Sequence, residues 1–295
     1  MPKTGLYFAY GRDLNENDLA GWCERKGLAY PLAGKAMNAY LADRRLRWLT
    51  YGTAGGGGAF DIDFCLGQAL PGVVYHVREG GWAVLDQRQG VPGRRRDEEV
   101  TVLSPDGRFH RARTYRWRGE QRDVPDGTAL RDDMDLIEEG LRRHGLDRRM
   151  HHAVAAGGTP PWTIDQLFVY GTLMEGEPRH GLLRNWTNGF GRGKAKTQGI
   201  LYNSGRGYPC LVIVEGGMQW VHGELYTLID PGRAFADLDP EEGYLPLQPE
   251  RSAFRRAVIK VVTEDHRTVT AWTYLYRGYT APLKIIPSGD WRHGG

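Results

Sequence analysis

Leu167-Phe168-Val169-Tyr170-Gly171-Thr172-Leu173-Met174 is an apolar strand that breaks at a glycine, and its opening is echoed near the other end of the chain by Leu6-Tyr7-Phe8-Ala9-Tyr10-Gly11. Three more echoes follow in the same order. Gly72-Val73-Val74-Tyr75 returns as Gly223-Glu224-Leu225-Tyr226, LDQRQGV from Leu85 to Val91 returns as LDPEEGY from Leu238 to Tyr244, and Ala112-Arg113-Thr114-Tyr115-Arg116-Trp117 returns as Ala271-Trp272-Thr273-Tyr274-Leu275-Tyr276. Four ordered matches at similar offsets imply two copies of one domain, far longer than the repeat unit of a solenoid.

Between these landmarks the periodicity is mainly that of strands. Val100 to Leu103, a turn at Ser104-Pro105-Asp106-Gly107, and Arg108 to Tyr115 read as a β-hairpin, matched by Ala257 to Val262, a polar turn at Glu264-Asp265-His266-Arg267, and Thr268 to Tyr274. Residues 130–141 read as a helix with Met134, Ile137 and Leu141 on one face, and Glu177 to Leu183 as the start of another. His151-His152 are expected just past a helix, at the surface. The stretch Ala155-Ala156-Gly157-Gly158-Thr159-Pro160-Pro161 neither continues a helix nor pairs centrally in a sheet, so the halves are expected at 1–157 and 166–295 with a stiff linker at 158–165.

Composition excludes several classes. Forty-one glycines among 295 residues are about twice the usual share, but without a three-residue period they mark turns, not collagen or low complexity. No apolar run is long enough to span a bilayer, and Met1-Pro2-Lys3-Thr4 leads into a strand instead of a signal-peptide core, so a cytoplasmic protein without membrane partners is expected. Cys23, Cys65 and Cys210 are odd in number and far apart, which fits reduced thiols. The net charge of +3 and the interrupted cluster Arg94-Arg95-Arg96-Asp97-Glu98-Glu99 give no basic stripe for nucleic acid. The histidines lack zinc spacing, no G-K-[ST] follows the Gly55 to Gly58 run, and no serine sits in a G-x-S-x-G elbow, so no metal or cofactor is expected.

Two short motifs can carry chemistry. The glycine after Tyr170 lets the backbone turn and leaves N–H groups for a carboxylate or an oxyanion. Glu242, before a glycine and an aromatic residue, can act as general base and then acid if burial raises its pKa. Each motif alone is equally a plain turn.

Together they resemble the γ-glutamylcyclotransferase superfamily, whose members carry Y-G-S or Y-G-T after the first strand and an E-G-[VY] motif with the catalytic glutamate. The second half is similar to the branch that holds plant AIG2-like proteins and the butirosin-pathway γ-glutamylcyclotransferase, through Tyr170 to Leu173, Gly207-Tyr208-Pro209, Gly223 to Tyr226, Asp239 to Tyr244 and Ser288-Gly289-Asp290-Trp291. The first half resembles the animal-type branch but departs from it at the site. Arg12-Asp13 stand where that branch has S-N, and Gln89 stands where it has the glutamate.

The resemblance implies an α+β fold of two tandem domains, each a small mixed β-barrel or sheet with flanking helices. It implies a cofactor-free enzyme in which the α-amine of a γ-glutamyl group attacks its own γ-carbonyl, releasing 5-oxoproline and an amine. Glu242 would move the proton, Tyr170, Gly171, Thr172 and Leu173 would hold the glutamyl group, and Tyr274 would hydrogen-bond the substrate or serve only as a core tyrosine. The leaving amine expected from the second half is a biosynthetic intermediate such as an aminoglycoside, with free γ-glutamyl dipeptides and γ-glutamylamines left open. Tyr10, Gly11, Arg12, Asp13 and Gln89 would form a degenerate site that shapes the other pocket or binds a ligand of its own. A non-catalytic two-domain scaffold and another acyl or amide transfer are the alternatives.

Overall fold

The computed structural model describes residues 4–50, 58–118, 131–187, 193–214, 216–217, 219–245 and 251–293. Most of the Gly55 to Gly58 run therefore lies outside the described residues. The chain forms two compact units, Met1–Leu103 with Phe109–Thr163, and Ser104–Arg108 with Ile164–Gly295.

The first unit is built on β1 (Gly5–Ala9), β2 (Leu32–Thr50), β3 (Gly58–Val77), β4 (Arg95–Leu103) and β5 (Phe109–Trp117). They close into a barrel in the order β1-β3-β2-β4-β5, with β1 parallel to β5. Helices α1 (Glu16–Lys26), α2 (Gly81–Gln89), α3 (Arg131–Arg143) and α4 (Arg149–Ala155) flank it. Asn15 caps α1 by accepting from the Asp18 N–H at 3.2 Å, and Gly27 ends that helix in the left-handed conformation. The expected hairpin is β4 and β5, and α3 buries Ile137 and Leu141 with Met134 packed partly against the same core.

The second unit repeats the plan with β6 (Gln166–Val169), β7 (Gly193–Gln198), β8 (Ile200–Asn203), β9 (Pro209–Val212), β10 (Trp220–Thr227), β11 (Phe254–Thr263), β12 (Thr268–Tyr276) and β13 (Lys284–Ile285), and with α5 (Pro231–Glu241). Its barrel runs β6-β10-β7-β11-β12 and closes by pairing β12 parallel to β6, while β13-β8-β9 form a separate small sheet. The registers of the two barrels coincide. Ala9 faces Val73 as Val169 faces Glu224, Tyr7 faces Arg113 as Leu167 faces Trp272, and Asp97 faces Tyr115 as Arg256 faces Tyr274.

Close packing explains why one glycine recurs. A Cβ on Gly72 would lie 2.4 Å from the carbonyl oxygen of Ala9, and one on Gly223 would lie 2.2 Å from that of Val169. Thr114 and Thr273 stitch the parallel seam by donating to the carbonyls of Phe8 and Phe168, at 2.8 and 3.0 Å. The segment that joins the copies divides sharply. The Gln68 side chain holds Pro161 and Thr163 on the first unit, whereas the Trp272 indole donates to the carbonyl of Ile164 in the second.

Two expectations are corrected. His151 lies inside α4, fully buried, with Nε2 2.8 Å from the Tyr10 carbonyl, and burial lowers its pKa to about 4; His152 is exposed as expected. The stretch from Glu177 makes turns and one 3₁₀ turn at His180–Leu183 instead of a helix, because Pro178 and Gly181 interrupt it. Cys23, Cys65 and Cys210 are free thiols. No helix among the described residues is long and apolar enough to cross a membrane.

Candidate active site

The end of α5 fixes Glu242. Asp230 caps the start of this helix by accepting from the Arg233 N–H at 3.1 Å, with Pro231 in its first turn. Pro240 has no N–H to continue the ladder, and the helix stops. Gly243 adopts φ +64°, its N–H reaching the Pro240 carbonyl at 3.1 Å and that of Tyr244 reaching the Asp239 carbonyl at 2.8 Å. This is a Schellman motif with Glu242 as the last residue before the left-handed glycine. The segment D-P-E-E-G-Y is thus a helix stop that turns one carboxylate toward the barrel mouth.

Beneath it lies a buried ionic support. Asp239 accepts from the Tyr274 hydroxyl at 2.7 Å and meets Arg256 Nε at 2.8 Å, with the Asp239 and Arg256 side chains only 6% and 2% exposed. The Arg256 guanidinium lies 4.5 Å from the Phe235 ring centroid and 5.5 Å from that of Trp272. These partners fix the last turn of α5.

The loop after β6 forms the facing wall. Tyr170 is buried and donates its hydroxyl to the Tyr274 carbonyl at 2.7 Å, and burial pushes its pKa well up. Gly171 is required by contact: a Cβ there would lie 2.4 Å from Cγ of Pro209. The Met174 N–H returns to the Gly171 carbonyl at 2.9 Å, and the Glu175 N–H is held by the buried Glu224 carboxylate at 2.7 Å. Among the described residues, the N–H groups of Thr172 and Leu173 have no protein acceptor.

Tyr170, Gly171, Thr172, Leu173, Glu242 and Tyr274 all line one cavity of about 230 Å³, together with Arg179, Tyr208, Pro209 and Phe254. The Tyr274 hydroxyl proton is committed to Asp239, so toward a ligand it can only accept. The Glu242 carboxyl has its pKa pushed up to about 7, chiefly by burial; Arg179 pulls it down while Glu241 and Asp239 push it up. A carboxyl that changes state near neutrality, beside free backbone donors, can take a proton and return it. Arg179, Asp239 and Arg256 were not singled out in the sequence. The repeated aspartate of LDQRQGV and LDPEEGY was the one available signal.

The first unit has the same frame with other occupants. Gly90 at φ +71° closes an identical Schellman motif after Gln89, with Gly90 N–H to the Gln87 carbonyl and Val91 N–H to the Asp86 carbonyl. Asp86 accepts from Tyr115 at 2.7 Å, and the Tyr10 hydroxyl donates to the Tyr115 carbonyl at 2.6 Å. The supporting cation, however, is Arg113 on β5, whereas Arg256 belongs to β11. Tyr10, Gly11, Arg12, Asp13 and Gln89 line a cavity of about 270 Å³. Asp13 is buried and accepts from Gln89 Nε2 at 2.6 Å, from Tyr7 at 2.9 Å and from Arg88 at 3.3 Å. Arg12, also on the cavity wall, pairs with Asp18 at 2.8 Å and with Asp133 at 2.6 Å. Among the described residues no cluster of three or more His, Cys, Asp or Glu could hold a metal.

A helix-stop carboxyl with its pKa pushed up to about 7 thus shares one cavity with the N–H groups of a loop that follows a barrel strand. The family model described as gamma-glutamyl cyclotransferase, AIG2-like, matches residues 167–293. A protein of Vibrio cholerae named for gamma-glutamylcyclotransferase is 37% identical over 42% of this chain and 93% of its own length. The gamma-L-glutamyl-butirosin B gamma-glutamyl cyclotransferase of Niallia circulans is 36% identical over 38% of this chain and 67% of its own. Through its C-terminal half the chain belongs to the AIG2-like gamma-glutamylcyclotransferase family. The solved structure of YkqA from Bacillus subtilis is 18% identical, covers 99% of this chain and 89% of its own, and has a TM-score of 0.39.

Proposed function

We propose that the C-terminal unit cyclises a γ-glutamyl group, releasing 5-oxoproline and the free amine. Glu242 takes a proton from the α-ammonium, the freed amine attacks the γ-carbonyl carbon, and the resulting oxyanion or the α-carboxylate accepts from the Thr172 and Leu173 N–H groups. The carbon–nitrogen bond to the leaving amine then breaks as Glu242 gives its proton to that nitrogen, and the second proton of the attacking nitrogen passes through Glu242 to the released amine, which departs as an ammonium. The nucleophile is tethered to the electrophile, so positioning and one proton relay are all that the protein must supply.

What carries this proposal is the placement of Glu242, with its pKa pushed to about 7, in one cavity with the loop Tyr170 to Leu173. We assign the leaving group to an amine-bearing biosynthetic intermediate, supported by the Niallia circulans relative whose name specifies γ-glutamyl-butirosin B. The test is incubation with a panel of γ-glutamyl aminoglycosides, γ-glutamylamines and γ-glutamyl dipeptides, with 5-oxoproline read by mass spectrometry. No 5-oxoproline from any member would overturn the reaction. A preference for dipeptides would overturn the substrate class alone.

A further inference from the structure

The cavity of the first unit is larger than that of the second, and the reaction proposed above makes no use of it. One side is internally satisfied: Asp13 accepts from Gln89, Tyr7 and Arg88, and Arg12 bridges Asp18 and Asp133. The other side carries unspent cationic capacity. Arg94 and Arg95 both line the cavity, and among the described residues neither meets a carboxylate.

Arg95 is held in place without being neutralised. Its guanidinium lies 5.7 Å from the Trp117 ring centroid and donates to the Phe60 carbonyl at 3.3 Å. The stem of Arg94 lies over Gly90, next to Gln89, 3.4 Å from where a Cβ would stand. Trp48, 7% exposed, lines the same cavity. Gln89 spends its amide N–H on Asp13 and retains its carbonyl oxygen as an acceptor. The wall therefore offers two guanidinium groups and one neutral acceptor.

We propose that the first barrel is a binding site for a small carboxylate that also carries an N–H donor, held by Arg95 and Arg94 with its N–H on the Gln89 carbonyl, and that it keeps this ligand unconverted. A planar guanidinium matches a carboxylate in two parallel hydrogen bonds, and Trp48, Phe60 and Trp117 line the same cavity. The cavity has room for a metabolite of a few carbons and not for a nucleotide. Gln89 cannot take a proton, so nothing at the position equivalent to Glu242 drives turnover.

The probe is 5-oxoproline, which has one carboxylate and one lactam N–H, titrated into the full chain carrying Glu242→Gln. Tryptophan fluorescence reports on this site because Trp48 and Trp117 line the first cavity and no tryptophan lines the second. The expected result is a saturable change, weakened about tenfold or more by Arg95→Gln and to the same degree when the neutral 5-oxoprolinamide replaces the acid. No saturable change, an affinity untouched by Arg95→Gln, or equal binding of the amide would overturn the proposal. Should Arg95→Gln fail to fold, Arg94→Gln and Gln89→Glu read the same wall from its other side, and unchanged affinity in both would overturn it. Turnover of γ-glutamyl amines by the otherwise unmodified chain should survive Arg95→Gln, so failure of this site and failure of the catalytic proposal give different results.

Discussion

Gln89 and Glu242 occupy the same place in two barrels of the same connectivity and register, each the last residue before a left-handed glycine that closes a helix. Around Glu242 the facing loop offers free N–H groups and the neighbouring charges leave the carboxyl unpaired. Around Gln89 the loop offers Asp13, which accepts from the amide at 2.6 Å. The helix stop, the buried aspartate and the tyrosine are the frame common to both, and two or three side chains decide what the frame does.

The sharpest way to break that contrast is substitution at the paired positions. Glu242→Gln should lower 5-oxoproline formation by about 10²–10⁴-fold, the usual worth of a general acid–base group, while Gln89→Ala should leave the rate within about threefold. Mass-spectrometric product assays of both variants decide it. Equal loss in the two would mean that the first barrel takes part in the reaction.

Next in size is the buried ion pair. Asp239→Asn removes the carboxylate that Arg256, 2% exposed, meets at 2.8 Å, and should cost about 3–5 kcal/mol in denaturant unfolding. Asp86→Asn should cost clearly less, because Arg113 is 12% exposed and has Asp97 at 3.1 Å as a second partner. Reversal of that order would show that the supports are not equivalent.

A pH dependence near neutrality follows from Glu242. Its folded pKa is raised to about 7, so the folded state binds this proton more tightly than the unfolded state does. The associated stability is fully present below about pH 4.5 and is lost progressively as pH rises from there to about 7, amounting to on the order of 3 kcal/mol. Glu242→Gln should therefore gain stability relative to the parent at pH 8 to 9 and not at pH 5, in melts taken across that range. Over the same range kcat/KM should rise with an apparent pKa near 7, as the base form becomes populated. No Gln89 substitution by a neutral residue should shift either profile.

The smallest effect concerns the glycines of the two loops. Gly171→Ala drives a methyl into Pro209 and should cost about 1–3 kcal/mol, whereas a Cβ on Gly11 meets nothing within 4 Å, so Gly11→Ala should stay within about 0.5 kcal/mol. Thermal melts of both distinguish a packing role from a purely conformational one.

Much of this was legible in the sequence because the strongest signals are local and occur twice. The hairpin β4–β5, its partner β11–β12, the strand after Gly72 or Gly223 and the helix stops all follow from alternation and glycine placement. The six residues singled out in the second half converge on one cavity for the same reason, since each lies on a short motif at the end of a barrel strand or helix. The supports were illegible because their partners come from separate elements. Arg256 meets Asp239 only through barrel closure, Pro209 meets Gly171 from β9, and Arg12 reaches Asp133 across the first unit. His151 was misplaced because its partner is a backbone carbonyl, Tyr10, that no side-chain pattern announces.

The helix stop that carries Glu242 has an electrostatic side as well. Aligned peptide dipoles leave partial negative charge at a helix C-terminus, and a carboxylate placed there is repelled by the backbone itself. The direction of α5 thus acts in the same sense as burial on the proton affinity of Glu242, whichever side chains surround it. A relative that kept this helix while replacing every neighbour in the cavity would keep an acid biased toward holding its proton, and the fold could change substrates without having to tune that group again.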